Sequence, residues 1–170
     1  MIARVLSVGT ASPANIVAQD ETKAFAANFF AGSVRALDRL LSAFDNTRIE
    51  QRQLVRPISW YADPHSFAEK NAVYCEAARE LSVRAAEQAL DRARLAPTDV
   101  DSVVFVSTTG IRTPSLDGAL IERLGLRRST VRLPIWGLGC AGGAAGDRLG
   151  CLRRGLLPRR CSIRASVRGG

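Results

Sequence analysis

A long helical pattern followed by a continuous apolar run limits the fold of this chain most strongly. The helical pattern begins at Ser66, which has the capping-box spacing to Glu69, and it continues to about Leu95. Residues 103–106 then form an uninterrupted apolar strand, which is typical of a parallel sheet covered on both faces. The succession predicts an α/β layered fold. Small side chains predict the buried face of the helix: Ala72, Cys75, Ala78, Leu81, Ala85, Ala89 and Ala93.

Five shorter elements surround this pair. The apolar and turn patterns predict a buried strand over residues 2–8, helices over 20–30, 34–44 and 114–124, and a strand over 131–136. In the second of these helices the apolar side chains recur every three or four residues and predict one packed face: Val34, Leu37, Leu41 and Phe44.

Charge divides the chain into two parts. The net charge is +8, but seven arginines and one aspartate lie in residues 147–170, so residues 1–146 are close to neutral. We therefore expect one domain over 1–146 that binds no nucleic acid. The tail, 147–170, shows no helical or strand periodicity. We expect it to be disordered and to be a frameshifted translation of a G+C-rich gene; a basic tail that binds nucleic acid or an anionic surface is the alternative.

Composition excludes several classes of protein. Hydrophobic residues make up 46% and charged residues 24% of the 170, which are globular values. The chain has no apolar run of the ~18 residues that a membrane span requires, and no secretory signal is evident. Four cysteines without a CxxC pair argue against a disulfide scaffold and a metal site. We expect a cytoplasmic protein with no membrane contact, no metal and no bound cofactor.

Cys140 has the most informative surroundings in the sequence. It follows a predicted strand and the turn residue Gly139, and the residues after it are almost all Gly or Ala. Such a turn predicts a thiol at the start of a helix, where the helix dipole would lower its pKa and make it a nucleophile. The alternative is a buried cysteine that acts as a small apolar side chain. A phosphate-binding loop or a dinucleotide turn fits this stretch poorly.

Residues 103–146 resemble type III polyketide synthases, the chalcone-synthase-like branch of the thiolase superfamily. Residues 5–57 resemble them more loosely, and the resemblance as a whole covers residues 1–146. The resemblance implies the N-terminal half of a thiolase-like αβαβα layered fold, in a truncated form. The motifs that carry it are Thr108-Thr109-Gly110, Pro114-Ser115-Leu116-Asp117, Leu124-Gly125-Leu126 and Gly139-Cys140 with Ala141-Gly142-Gly143.

The resemblance also implies a reaction. Members condense malonyl-CoA units onto an acyl-CoA starter with loss of carbon dioxide, giving pyrone, resorcinol or naphthol products. Cys140 falls at the position that takes the starter acyl group as a thioester. Thr108 and Thr109 fall where the family lines its pocket. Thr113 falls where plant members carry a methionine that reaches across a homodimer. Arg39, Arg48 and Arg52 lie near the region that contacts coenzyme A phosphates.

Two partners of the family's cysteine are not matched in this sequence. The family's catalytic histidine and asparagine belong to its C-terminal half, and the context of His65 fits a loop or a position before a helix. We therefore expect this chain alone to be inactive in the full condensation. Two alternatives remain: an enzyme similar to ketoacyl-carrier-protein synthase III, and a catalytically dead fragment that acts by binding only.

Overall fold

The computed structural model describes residues 4–146 and 161–166. They form two compact units: residues 12–66 make up the smaller unit, and residues 4–11, 67–146 and 161–166 the larger one. The boundary expected between residues 146 and 147 adjoins a stretch outside the described residues, so it stays a prediction.

The smaller unit combines a two-stranded sheet with helices. Its elements are β1 (Asn15–Ala18), α1 (Gln19–Phe29), α2 (Leu37–Asn46), β2 (Gln51–Leu54) and a 3₁₀ turn (Ile58–Ala62). Both predicted helices are confirmed, and the four predicted apolar side chains around α2 are its half-buried ones. The sequence did not predict β2, because only antiparallel pairing with β1 makes this polar segment a strand.

The larger unit contains a parallel sheet. Its elements are α3 (Phe67–Ala93), a 3₁₀ turn (Pro97–Asp99), β3 (Val100–Ser107), α4 (Asp117–Arg123), β4 (Val131–Trp136), a 3₁₀ turn (Gly139–Ala141) and β5 (Cys161–Ser166). The strand order is β4-β3-β5, and β3 runs parallel to both neighbours. The predicted α3, β3, α4 and β4 are all confirmed, because each has a strong periodic or continuous apolar pattern.

Both faces of β3 are covered, as its continuous apolar sequence predicts. Val103 and Phe105 join a core that includes residues of α3 and α4. Val106 points to the opposite face, where it lies against Gly142 at the start of the next helical residues, 142–146. The described part of this unit therefore has helix, sheet and helix layers, in agreement with the predicted α/β class.

The buried face of α3 differs from the predicted one. Ala72 is exposed, and Leu81, Ala85, Ala89 and Ala93 are half-buried. Cys75 and Ala78 are buried as predicted, but the predicted positions after Ala78 lie beside the buried row, because the contact row of a straight helix follows a repeat of 3.6 residues. The buried row is Cys75, Ala78, Ser82, Val83, Ala86 and Leu90.

This buried face predicts a large effect for one alanine on α3 and almost none for another. Ala78→Leu should lower the free energy of unfolding by about 1–2 kcal/mol, because Ala78 lies in a packed core that has no space for three more carbons. Ala72→Leu should change it by less than about 0.5 kcal/mol, because its side chain faces solvent. Urea denaturation of both variants measures the difference, and equal losses would contradict the register.

At both ends of the larger unit, the structure differs from the prediction of which segment forms a strand. Residues 4–8 were predicted as a buried strand, but they pair with no strand in the described part of the chain. Residues 161–166 were predicted to lack structure, yet they form β5 beside β3. Both predictions are wrong for the same reason: a strand requires an available edge, and β5 takes the edge of β3 that lies opposite β4.

Candidate active site

The C-terminal ends of β3 and β4 meet at one edge of the sheet. The Gly137 amide just after β4 donates a hydrogen bond to the Ser107 carbonyl at the end of β3 (3.3 Å). Thr108 and Thr109 follow directly and are exposed. Ligands in open parallel sheets bind at this edge, beyond the carboxyl ends of the strands. The predicted pocket threonines and the start of the turn to Cys140 therefore lie side by side, at the C-terminal ends of β3 and β4.

A tight turn leads from β4 to Cys140. Gly137 and Gly139 have φ angles of +81° and +52°, which a residue with a Cβ rarely adopts. The Ala141 amide donates to the Leu138 carbonyl (3.2 Å), which closes the turn. The backbone of Cys140 lies in the 3₁₀ turn Gly139–Ala141, immediately before the helical residues that begin at Gly142.

The loop after β3 is fastened by side chains from two other elements. The amide side chain of Asn71 on α3 makes two hydrogen bonds to the backbone of Ile111, one to the carbonyl and one from the N–H (both 2.9 Å). The Trp136 indole N–H donates to the Gly110 carbonyl (2.9 Å). Thr113, which is exposed and joined to Pro114 by a cis peptide bond, lies in this loop.

A buried charge network closes the loop at its far end. Asp117, the first residue of α4, is fully buried, and both of its carboxylate oxygens accept hydrogen bonds from Arg132 on β4 (2.7 and 3.0 Å). Ser115 donates a hydrogen bond to the same carboxylate. Burial raises the pKa of Asp117, but the hydrogen bonds from Arg132 and Ser115 and the charge of Arg132 outweigh it, so the pKa is lowered.

Tyr74 and Ser107 are hydrogen-bonded to each other at the base of the loop that follows β3. Their hydroxyl oxygens lie 2.7 Å apart, and a Cβ on Gly110 would meet the Tyr74 ring. Burial raises the pKa of Tyr74 above its usual value. Tyr74 therefore stays protonated at neutral pH, and it acts there as a hydrogen-bonding support for the end of β3.

An apolar cavity of about 210 Å³ lies under this loop. Phe105 lines it from the face of β3 that packs against α3, whereas Val106 and Gly142 meet on the other face. Its lining surface is almost entirely apolar, although Ser107, Arg112 and Ser115 also contribute to it. The lining residues are Cys75, Phe105, Ser107, Gly110, Ile111, Arg112, Ser115, Leu116, Pro134, Ile135 and Trp136.

The predicted site residues are distributed over both units. Thr108, Thr109, Thr113 and Cys140 belong to the larger unit, around the ends of β3 and β4. The three predicted coenzyme A contacts belong to the smaller unit, and their roles stay predictions, as do those of the threonines and the cysteine. Arg39 and Arg48 are exposed; Arg52 is half-buried and donates from Nε to the Gln19 side chain (3.1 Å).

His65 has the loop position that its sequence context predicts. Its ring stacks on that of Trp60, with centroids 3.8 Å apart. Its Nε2 lies 2.9 Å from the Trp60 carbonyl oxygen, so this nitrogen is held as a hydrogen-bond donor. Both contacts are within the smaller unit and explain the histidine as a support for the 3₁₀ turn.

Sequence reasoning missed the residues that hold the loop: Asn71, Tyr74, Asp117 and Arg132. Asp117 was visible as part of the Pro114-to-Asp117 motif, but its partner was not, because Arg132 is distant in sequence. Asn71 and Tyr74 carry no signal of their own on a helix rich in polar residues. Among the described residues, no cluster of three metal-binding side chains occurs and no helix is both long and apolar enough to cross a bilayer.

Comparison with known families identifies this arrangement. The family model for chalcone and stilbene synthases, N-terminal domain, matches residues 2–151. The chain belongs to this family. Its solved relatives include 1,3,6,8-tetrahydroxynaphthalene synthase from Streptomyces coelicolor A3(2), a bacterial type III polyketide synthase, which superimposes with a TM-score of 0.86 at 28% identity. That match covers 94% of this chain and 47% of the synthase, and it establishes the thiolase-like fold.

Two curated relatives support the assignment to the chalcone and stilbene synthase family. A chalcone-synthase-like protein of Bacillus subtilis (strain 168) is 43% identical over 85% of this chain and 41% of its own length. The 1,3,6,8-tetrahydroxynaphthalene synthase of Streptomyces peucetius subsp. caesius is 39% identical over 90% of this chain and 40% of its own length. The chain thus spans about two fifths of the length of these relatives. The family to which they belong is one of condensing enzymes.

Proposed function

We propose that this chain provides the acyl-accepting cysteine of a type III polyketide synthase, an acyltransferase that builds a polyketide from coenzyme A thioesters. The observation that supports this most directly is the turn from β4 to Cys140. Two glycines with positive φ angles bend the chain there, at the sheet edge where Thr108 and Thr109 also emerge. Membership of the chalcone and stilbene synthase family supports the same reaction class.

The half-reaction proposed for this chain is a transfer between thioesters. The Cys140 thiolate attacks the carbonyl carbon of an acyl-CoA, a carbon–sulfur bond to Cys140 forms, and the bond to coenzyme A breaks. Coenzyme A leaves as a thiolate and takes up a proton from solvent. In a complete synthase, malonyl-CoA then loses carbon dioxide, and the resulting enolate carbon attacks the acyl group and releases the cysteine as a thiolate. The enolate step requires preorganised hydrogen-bond donors, which the family supplies from a histidine and an asparagine.

The remaining site residues complete the proposal. Thr108 and Thr109 would line the acyl pocket, and Thr113 would take the position that faces a second subunit in a homodimer. Arg39, Arg48 and Arg52 would contact the coenzyme A phosphates, with Arg52 already oriented by Gln19. We place the reaction in the cytoplasm. The family model favours this reading over a ketoacyl-carrier-protein synthase III-like enzyme.

Acyl transfer to Cys140 can be measured directly. Incubation with acetyl-CoA or a medium-chain acyl-CoA should add one acyl mass to the intact chain, and Cys140→Ala should abolish this addition. Cys75→Ala is the matched control, because Cys75 is a buried free cysteine on α3 and should leave the labelling unchanged. Labelling that persists in Cys140→Ala would refute the proposed nucleophile.

The acyl donor distinguishes the alternatives. A polyketide synthase takes its starter from coenzyme A, so acyl-CoA should label the chain and an acyl carrier protein should not. Labelling from the carrier protein alone would indicate a ketoacyl synthase III-like enzyme. No labelling from either donor would leave binding as the function of this chain and reject the half-reaction.

A further inference from the structure

In residues 4–8 and in β5, the polarity of the sequence does not match the burial of the position that the segment occupies. Residues 4–8 read Arg-Val-Leu-Ser-Val, a mostly apolar run typical of a strand between two neighbours. They nevertheless pair with no described strand, and Val5, Leu6 and Val8 are 83%, 61% and 61% exposed. β5 reads Cys-Ser-Ile-Arg-Ala-Ser, a more polar sequence, and it lies beside β3, in which every residue except Asp101 is buried.

The end of the unpaired segment is fixed to α3. The Ser7 hydroxyl donates to the Ala89 carbonyl (2.6 Å), and Arg92 donates to the Val8 carbonyl (2.6 Å). Gly9 approaches the helix so closely that a Cβ at this position would overlap the Ala85 carbonyl oxygen. α3 also packs against β5. The anchored segment and β5 therefore share one helix as their support.

The contacts that hold β5 beside β3 are mostly polar. The Ser162 and Ser102 hydroxyl oxygens lie 2.7 Å apart, and the Cys161 amide donates to the Asp101 carboxylate (3.0 Å). The register between the two strands is irregular between Val100 and Ser102. Of the described side chains of β5, residues 161–163, Ile163 is the one that joins the apolar core.

We propose that residues 4–8 and β5 compete for the same edge of β3. When β5 leaves this edge, residues 4–8 pair with β3 as a strand, while Gly9 and its neighbours stay fixed on α3. The exchange would bury the three exposed apolar side chains of this segment, and removal of apolar surface from water favours the paired state. It makes the sheet a two-state element in which one of two segments completes β3.

Hydrogen exchange of the full chain, followed by mass spectrometry of peptides, tests this competition. Ile163→Asp should release β5, because it places a charge in the core, and exchange in residues 161–166 should become faster. Exchange in residues 5–8 should then become slower by about tenfold or more, while β3 stays protected. Ile163→Val is the matched control, because it keeps an apolar side chain and should exchange like the unaltered chain.

Two further variants make the outcome decisive. Ser162→Pro removes a strand N–H and should release β5 by a second route, with the same protection of residues 5–8. Adding Leu6→Asp to Ile163→Asp should abolish that protection. The proposal is overturned if residues 5–8 exchange at an unchanged rate once β5 is released, or if β5 stays protected in both release variants. It is also overturned if β3 loses protection together with β5, since no other segment would then have replaced it.

Discussion

Replacing Arg132 by methionine is expected to lower the free energy of unfolding by about 3 kcal/mol at pH 7. The change leaves the Asp117 carboxylate fully buried without its cation, while Ser115 remains as a donor. This loss of stability is at the lower end of the range for removing one partner of a buried ion pair, because the Arg132 side chain is itself 39% exposed. Urea denaturation at pH 7 measures the loss.

The same variant should change the pH dependence of stability. In the unaltered protein the pKa of Asp117 is lowered, so its contribution is present above the unfolded value of about 4 and is lost as the pH falls through the folded value. Without Arg132, burial dominates and raises the pKa, so protonation favours the folded state. The deficit of Arg132→Met relative to the unaltered protein should therefore shrink between pH 7 and pH 4.

Arg127→Met is the matched control for this prediction. It removes the ion pair with Asp101, which lies in the same unit, but both side chains are partly exposed (45% and 23%). Arg127→Met should lower the free energy of unfolding by less than about 1 kcal/mol at pH 7. A loss in Arg132→Met no larger than that of Arg127→Met would show that the buried network around Asp117 does not stabilise the fold.

Replacing Gly142 by valine is expected to lower the free energy of unfolding by about 2–3 kcal/mol, through overpacking. A Cβ at this position would lie 2.5 Å from the Val106 side chain, which is buried in the central strand and is too short to swing aside. Because Gly142 follows the turn that carries Cys140, the displaced helix should also reduce acyl labelling of Cys140. Denaturation and intact-mass labelling measure the two effects.

The neighbouring glycine provides the control. A Cβ on Gly143 would meet nothing within 4 Å, so Gly143→Val should change stability by less than about 1 kcal/mol, the size of the helix-propensity difference. Labelling of Cys140 should be retained in this variant. If both valine variants lose the same stability, the close approach of the helix to β3 is not what requires glycine at position 142.

The sequence alone determined the elements whose patterns are strong over their whole length. α3, β3, α4 and β4 follow from helical periodicity, a continuous apolar run and turn residues such as Gly125, which has a φ of +65°. The glycines before Cys140 likewise predicted a sharp turn, since few other residues adopt its backbone angles. The motifs around these elements also predicted the family, which the comparisons confirm.

Only the tertiary structure decided which segments became strands and which side chains face one another. Residues 4–8 have a strand sequence and no strand partner in the described part of the chain, whereas residues 161–166 have a weak pattern and a place beside β3, because pairing depends on an available sheet edge. The Asp117–Arg132 pair joins residues that are distant in the chain, so no local pattern could predict it. Local propensity acts over a few residues, whereas strand pairing and burial of charge depend on contacts that only the folded chain creates.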